Sequence, residues 1–312
     1  MNIIGPDVLV FGVDDIAGAA RYLTDYGLVA CASNTRFEAM DGTAVVLKSR
    51  NDVSLPAPLN ESTLLRETIY GVADTQTLQT ISKELSSDRL VTVDSQGILH
   101  THDDLGFAIG FQITCRRPYS APAALTNAPG SAPQRGLNQV AVDPSAVVLP
   151  RSLSHVVYMV SDYAKAERFY VERLGFRVSD RFTGVGPFLR PAGTHEHHCL
   201  FLIQTPIKNN GLEHFTFHLG SANELMLAGT RFVNKGYQSS WGPGRHLLGS
   251  NWFWYFNSPL QCKMEYDADM DLHDDSWAPR DMVISPDVAQ LFLFNKIDKA
   301  MPGAPPPGSK GH

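Results

Sequence analysis

The chain repeats itself, and that repetition restricts its architecture more than any other feature. Residues 8–27, VLVFGVDDIAGAARYLTDYG, and residues 155–175, HVVYMVSDYAKAERFYVERLG, follow one pattern. Each has a short β-branched and aromatic run, an Asp, an amphipathic helical stretch with aromatic residues, and a closing Gly. Asp15 and Asp162 stand where a helix N-cap belongs, because a short carboxylate accepts the free backbone N–H groups of the first turn. Gly27 and Gly175 stand where the helix must end in a left-handed residue. Two weaker copies lie at similar offsets: 65–74, LRETIYGVAD, then a helical stretch through Leu85; and 212–221, LEHFTFHLGS, then one to Gly236. Short strands are expected after them, over 94–100 and 105–114, and over 198–204, 252–257 and 261–267. The reading is four βαβββ modules paired into two domains.

The Ala/Pro/Ser/Gly-rich stretch 120–136, SAPAALTNAPGSAPQRG, reads as the linker. It divides the chain into residues 1–135 and 136–290, with 291–312 as an extension whose end, MPGAPPPGSKGH, is expected to be mobile. A net charge of -6 argues against nucleic acid as a partner. No apolar run is long enough to span a bilayer and no basic segment precedes the first apolar stretch, so a cytoplasmic location without membrane association is expected. Cys31, Cys115, Cys199 and Cys262 are far apart and are read as buried thiols.

Histidine is concentrated where chemistry is expected. Eight of the eleven fall between His155 and His273. His155 and His214 occupy one position in their modules, each in a Leu-x-His pattern seven residues ahead of the helix cap at Asp162 or Ser221. If paired modules face each other, both imidazoles enter one cavity. Glu265, on the last strand in CKMEYD, would supply a third ligand. Two His and one carboxylate on one face of a metal leave the remaining positions open, as non-haem Fe(II) requires; Mn(II) is accepted by the same donors. A single strand His is more often a structural residue, but equivalence within the repeat favours the pair. The first half supplies a control: Val8, Glu67 and Gly110 stand at the three positions, so residues 1–135 read as a structural copy without a metal site.

At this point the segments SHVVYMVSD…FYVERLGF, HEHHCLFL, GLEHFTFHL, GPGRHLLGSNWFWYFNSP and CKMEY, in this order, resemble type I extradiol ring-cleavage dioxygenases. These belong to the vicinal oxygen chelate, or glyoxalase–bleomycin-resistance, superfamily. The resemblance spans nearly the whole chain, with its specific motifs in residues 153–267. It implies an α+β fold of tandem vicinal oxygen chelate domains, each built of two paired βαβββ modules forming a partly open barrel. It also implies that His155, His214 and Glu265 are the iron ligands, that His198 is the acid/base histidine, and that His246 and Tyr255 hydrogen-bond the substrate. His197 is the rival of His198, since strand alternation would let one of two neighbours face the cavity; His195 reads as a loop residue. One departure is Pro259-Leu260-Gln261 where the family has Pro-x-Gly, which is tolerable unless the turn needs a positive φ.

The implied activity is extradiol (meta) cleavage of a catechol-type or trihydroxylated aromatic with O₂, an oxidoreductase of the EC 1.13.11 type acting in aromatic catabolism. The expected product is a hydroxymuconic semialdehyde or a relative. Partners are then a catecholic molecule, O₂ and further copies of the chain. Phe188, Arg190 and Trp254, with Trp241 and Trp252, are the substrate-contact candidates, because aromatic faces suit a flat ring and a guanidinium suits a polar substituent. Within the family the chain resembles catechol 2,3-dioxygenase or trihydroxytoluene oxygenase types, the latter through GRHLLGSN. The rival readings are a glyoxalase-like metal-dependent isomerase or transferase, and a metal-free binding protein of the same fold.

Overall fold

The computed structural model describes residues 1–293, so the expectation for 301–312 lies outside the described residues. Two open mixed sheets, each of two βαβββ modules, make up the chain. The first module runs β1 (Ile3–Val13), α1 (Ile16–Tyr26), β2 (Val29–Ala30), β3 (Arg36–Glu38) and β4 (Ala44–Ser49). The second runs β5 (Leu65–Val72), α2 (Thr75–Leu85), β6 (Thr92–Val93), β7 (Leu99–His102) and β8 (Ala108–Ile113). In the C-terminal half, β9 (Ser152–Met159), α3 (Tyr163–Arg168), β10 (Phe176–Phe182), β11 (Gly186–Pro191) and β12 (Leu200–Ile203) form the third module. The fourth is β13 (Gly211–His218), α4 (Ala222–Asn234), β14 (Ser239–Arg245), β15 (Trp252–Asn257) and β16 (Lys263–Ala268).

Each sheet is assembled the same way. The two first strands pair antiparallel at the centre, β1 with β5 and β9 with β13, and each takes its own module's last strand in parallel. The fold is therefore α+β, with neither sheet closed into a barrel. Local chemistry explains the repeat. Asp15, Asp162 and Ser221 each accept a backbone N–H from the first turn of the following helix. Gly27 ends α1 at φ 112°, where any side chain would be strained. The helix after Asp162 is α-helical only to Arg168 and continues as a π turn over Phe169–Arg173.

Several expectations shift. Of the strand expected over 94–100, only residues 99–100 are extended, as the start of β7, and the residues expected to open a strand at 198 form an irregular turn ahead of β12. Gln261 stands at φ 56°, so the turn before β16 does use the left-handed region that a glycine would relieve. Among the cysteines only Cys199 is fully buried; Cys31, Cys115 and Cys262 are half-buried, and all four are free. The C-terminal segment adds β17 (Arg280–Met282) beside β10, a short helix α5 (Pro286–Ala289), and β18 (Phe292–Leu293) beside β14. No helix among the described residues is long and apolar enough to cross a membrane.

The halves share one core. Leu9, Phe11 and Tyr70 of the first sheet belong to the same buried cluster as Phe215, Phe217 and Tyr266 of the second. Tyr26 stacks on Tyr266 with ring centroids 4.0 Å apart, and its hydroxyl donates to the backbone carbonyl of Glu265. The Tyr266 hydroxyl returns a 2.6 Å bond to the Tyr26 carbonyl. Tyr158 donates to Thr68 at 2.6 Å and stacks on Phe107. A helix of the first half thus braces the strand that carries Glu265. Tyr26→Ala is expected to destabilise the chain by about 3–5 kcal/mol. Urea unfolding should show one transition, because all four tryptophans lie in the second half and report on a core both halves complete. Tryptophan fluorescence and far-UV circular dichroism should coincide; separate midpoints would mean two independent cores.

Candidate metal centre

Strand register aligns the site. His155 on β9 lies opposite Thr216 on β13, Thr216 opposite Glu265 on β16, and Glu265 opposite Tyr255 on β15. His214, two residues before Thr216, points to the same side of β13. His155, His214 and Glu265 are all buried, and one ligand atom of each lies within 4.8 Å of the others. The Glu265 Oε2 atom is 3.2 Å from His155 Nε2 and 3.4 Å from His214 Nε2. Donors bound about 2.1 Å from one ion at right angles would be about 3 Å apart, so the spacing fits a metal. His214 Nε2 and Glu265 Oε1 complete no hydrogen bond among the described residues although both are buried. Buried polar atoms rarely stay unpaired without reason, and a cation satisfies both. Thr216 bridges the group, 2.9 Å from His155 Nε2 and 2.5 Å from Glu265 Oε2.

Outer partners orient both imidazoles, as metal-binding histidines require. His155 Nδ1 lies 2.8 Å from Ser154 Oγ, which donates to Asp267 at 3.1 Å. His214 Nδ1 pairs with Glu213, itself 2.5 Å from Lys263. Burial would raise the Glu265 carboxyl, but the imidazoles of His155 and His214 outweigh it and hold it well below the ordinary carboxylate range. Burial lowers the His155 imidazole. Burial also acts to lower His214, but the carboxylates of Glu213 and Glu265 prevail and push it up to about 9.

The triad faces a cavity of about 200 Å³, walled by Val157, Phe188, Phe201, Leu248 and Val288, among others. His198, His246 and Tyr255 also line it. His197 and His198 sit in the irregular turn before β12, so strand alternation does not separate them and both are buried. They differ in what they touch. His198 stands over His155 with ring centroids 4.3 Å apart. His197 turns away, its Nε2 2.8 Å from Asp180 Oδ2 and its Nδ1 2.9 Å from His198 Nδ1. Arg280 of β17 also bonds Asp180, its guanidinium 2.5 Å from the same Oδ2 atom. Burial would raise Asp180, but bonds from His197 and Arg280 hold it far below the usual range. Burial, reinforced by His155 and His197, keeps the His198 pKa well below the ordinary imidazole value. His246 Nε2 is 3.2 Å from the Tyr255 hydroxyl, and burial beside Glu265 keeps that phenol protonated.

The remaining sequence candidates divide. Phe188 stacks on Phe201 with centroids 3.9 Å apart, and Trp241 stacks on Tyr255. Arg190 does not reach the cavity: its guanidinium is buried against the carbonyls of Thr194 and Asp274, each at 2.6 Å, and pairs with Asp275 at 2.8 Å. Trp254 faces α4, packed on Gly229 with its Nε1 on Ser239 Oγ. Trp252 carries the Arg245 guanidinium on its ring. His195 is exposed in its loop. Sequence reasoning missed Thr216, the Asp180–His197 pair and the C-terminal cover formed by Ile284, Val288 and Ala289. Only the HEHH run hinted at the second of these. In the first half, Glu67 sits 2.6 Å from His100 Nδ1, beside Gly110.

Residues 152–265 match the model of the Glyoxalase/Bleomycin resistance protein/Dioxygenase superfamily. The chain is 36% identical over 186 residues to metapyrocatechase 2 of Cupriavidus necator, covering 56% of each. It thus spans about half the length of that relative. Its fold is similar to that of the Mn(II)-bound glyoxalase from Novosphingobium aromaticivorans, with a TM-score of 0.70, 20% identity, and coverage of 93% of this chain and 91% of that one. It is likewise similar to 2,2',3-trihydroxybiphenyl 1,2-dioxygenase from Sphingomonas wittichii, with a TM-score of 0.68, 18% identity, and coverage of 93% and 98%.

Glu265→Gln is expected to lose most bound divalent metal in elemental analysis; full occupancy would remove Glu265 from the ligand set. A protonated imidazole cannot bind a cation, and His214 keeps its proton up to about pH 9. Metal affinity should therefore rise with pH from 6 to 9, by up to about tenfold per unit, and then level off. Isothermal titration across that range checks the sign.

Proposed function

We propose that this chain is an extradiol dioxygenase that opens a catechol-type or trihydroxylated ring beside its vicinal diol, using Fe(II) and O₂. The observation that carries the reading is the His155, His214 and Glu265 set at the floor of a small apolar cavity, with His198, His246 and Tyr255 around it. The same reading makes residues 136–290 the catalytic unit and residues 1–135 a unit without a metal site. When bound, Fe(II) supplies Lewis acidity toward the two diol oxygens and a path for electrons from ring to O₂. Mn(II) suits the same donors, so iron is part of the proposal.

The residues divide the remaining work. Phe188, Phe201 and Val157 hold a flat ring and exclude water, which strengthens every polar contact inside. Asp180 fixes the proton of His197 on Nε2. His197 Nδ1 is then an acceptor for His198 Nδ1–H, which leaves His198 Nε2 as a base. His198, neutral at physiological pH, takes a proton from the diol and returns one as the O–O bond breaks. Tyr255 stays a hydrogen-bond donor and, with His246, steadies negative charge building on the substrate oxygens. Atoms balance: ring and O₂ become one ring-opened semialdehyde acid, with no proton left over.

The glyoxalase-like reading draws on the Mn(II)-bound neighbour, but it leaves the His198–His197–Asp180 relay and the His246–Tyr255 pair without a task. Oxygen uptake by anaerobically Fe(II)-loaded protein with catechol, methylcatechols and trihydroxybenzenes should match formation of a yellow product one to one. Stoichiometric metal with no uptake on any diol would favour the isomerase. His198→Gln should retain iron but slow turnover by roughly 10²–10⁴-fold; unchanged rates would remove His198 from the proton transfers.

A further inference from the structure

Asn251 presents an unexplained group to the cavity. It is 1% exposed, lines the chamber, and neither its Oδ1 nor its Nδ2 has a hydrogen-bond partner among the described residues. A buried carboxamide with both ends unpaired is costly, and such a group calls for an explanation. Leu248, Phe188, Phe201 and Val288 line the same chamber, together with His198 and His246. Its placement follows from the loop. Gly249 turns at φ 79°, so tightly that a Cβ there would lie 3.0 Å from His197 Nδ1 and 3.1 Å from Asn251 Oδ1. The amide is thereby held on the His197–His198 side of the chamber, while the Asn251 carbonyl is tied to the His246 backbone N–H at 3.0 Å.

Resting on the ring-cleavage reading, we infer that Asn251 is a specificity-determining residue that selects a substrate carrying a third ring hydroxyl beyond the diol. A hydroxyl is both donor and acceptor, so it can use either end of the amide. A carboxylate can use only the NH₂ end and meets the carbonyl oxygen with repulsion. A hydrogen or methyl uses neither end and leaves the amide unpaired. The other charged groups argue against an anionic substituent. Lys263 is paired with Glu213, Arg280 with Asp180 and Arg190 with Asp275, so each of these cations is already engaged. At about 200 Å³ the chamber is below the ~300–1,000 Å³ usual for drug-sized ligands, which favours one ring over two.

The test compares catechol with 1,2,3- and 1,2,4-trihydroxybenzene on wild type and Asn251→Leu, an apolar variant of similar shape. Two readouts are taken on Fe(II)-loaded protein: anaerobic binding by calorimetry, and kcat/KM from oxygen uptake. Wild type should prefer one trihydroxybenzene over catechol by at least about tenfold, since a site built to bond a hydroxyl rejects the analogue lacking it. Asn251→Leu should collapse that ratio towards one, and its melting temperature without ligand should not fall, because an unpaired buried amide has been removed. Asn251→Asp, which keeps an acceptor but adds a charge, should also lose the preference. A ratio that is absent in wild type, or unchanged in both variants, overturns the inference. The ring-cleavage reading fails separately: if no diol drives oxygen uptake yet the binding ratio still collapses in Asn251→Leu, the specificity role stands without it.

Discussion

Glu265 is a fully buried carboxylate facing two buried imidazoles, and the fold is arranged around keeping those three groups together. A lone charge in such a place would be expelled or neutralised. Here the register of β9, β13 and β16 puts His155, Thr216 and Glu265 in one row, and His214 enters from the same face. Because side chains alternate on a strand, a slip of one residue in either pairing would turn one of these three side chains away from the cavity. The central antiparallel pair of the two modules is thus both the seam of the fold and the source of the site's geometry.

The first half contributes none of the three triad side chains but supports them. Its α1 ends in Tyr26, which is stacked on Tyr266 and hydrogen-bonded to the backbone of Glu265. Arg116 reaches from the end of the first sheet to the carbonyl of Leu153 at 3.3 Å, two residues before His155. Rigid support of this kind matters because misplacement of a reacting group by about 1 Å can cost a hundredfold in rate. The C-terminal segment supplies the other wall: Arg280 fixes Asp180, and α5 brings Ala289 to the imidazole of His246.

What the sequence made legible was local or repeated. Helix caps at Asp15, Asp162 and Ser221 follow from nearest-neighbour chemistry, and the equivalence of His155 and His214 follows from counting back to those caps. Long-range pairings were not legible. Nothing in the spacing says that His197, seventeen residues after Asp180, meets it across two strands, or that Arg280 completes the pair. Arg190 looked available for a substrate, yet the loop carbonyls of Thr194 and Asp274 claim its guanidinium. Trp254 looked like a ring-stacking residue, but strand alternation sends it towards α4 while Tyr255 faces the cavity. Thr216 is small and ordinary in sequence, and only the register makes it the bridge between His155 and Glu265. The positive φ at Gln261 is invisible until the turn is seen.

If the buried triad serves the proposed ring cleavage, one ring receives both atoms of O₂. Mass spectrometry of the product formed from the preferred diol under ¹⁸O₂ tests it most directly. A ring-opened product labelled from O₂ is expected, with both atoms retained apart from exchange with water. An intact ring with hydrogen peroxide released, or a product whose oxygens all come from water, would contradict it.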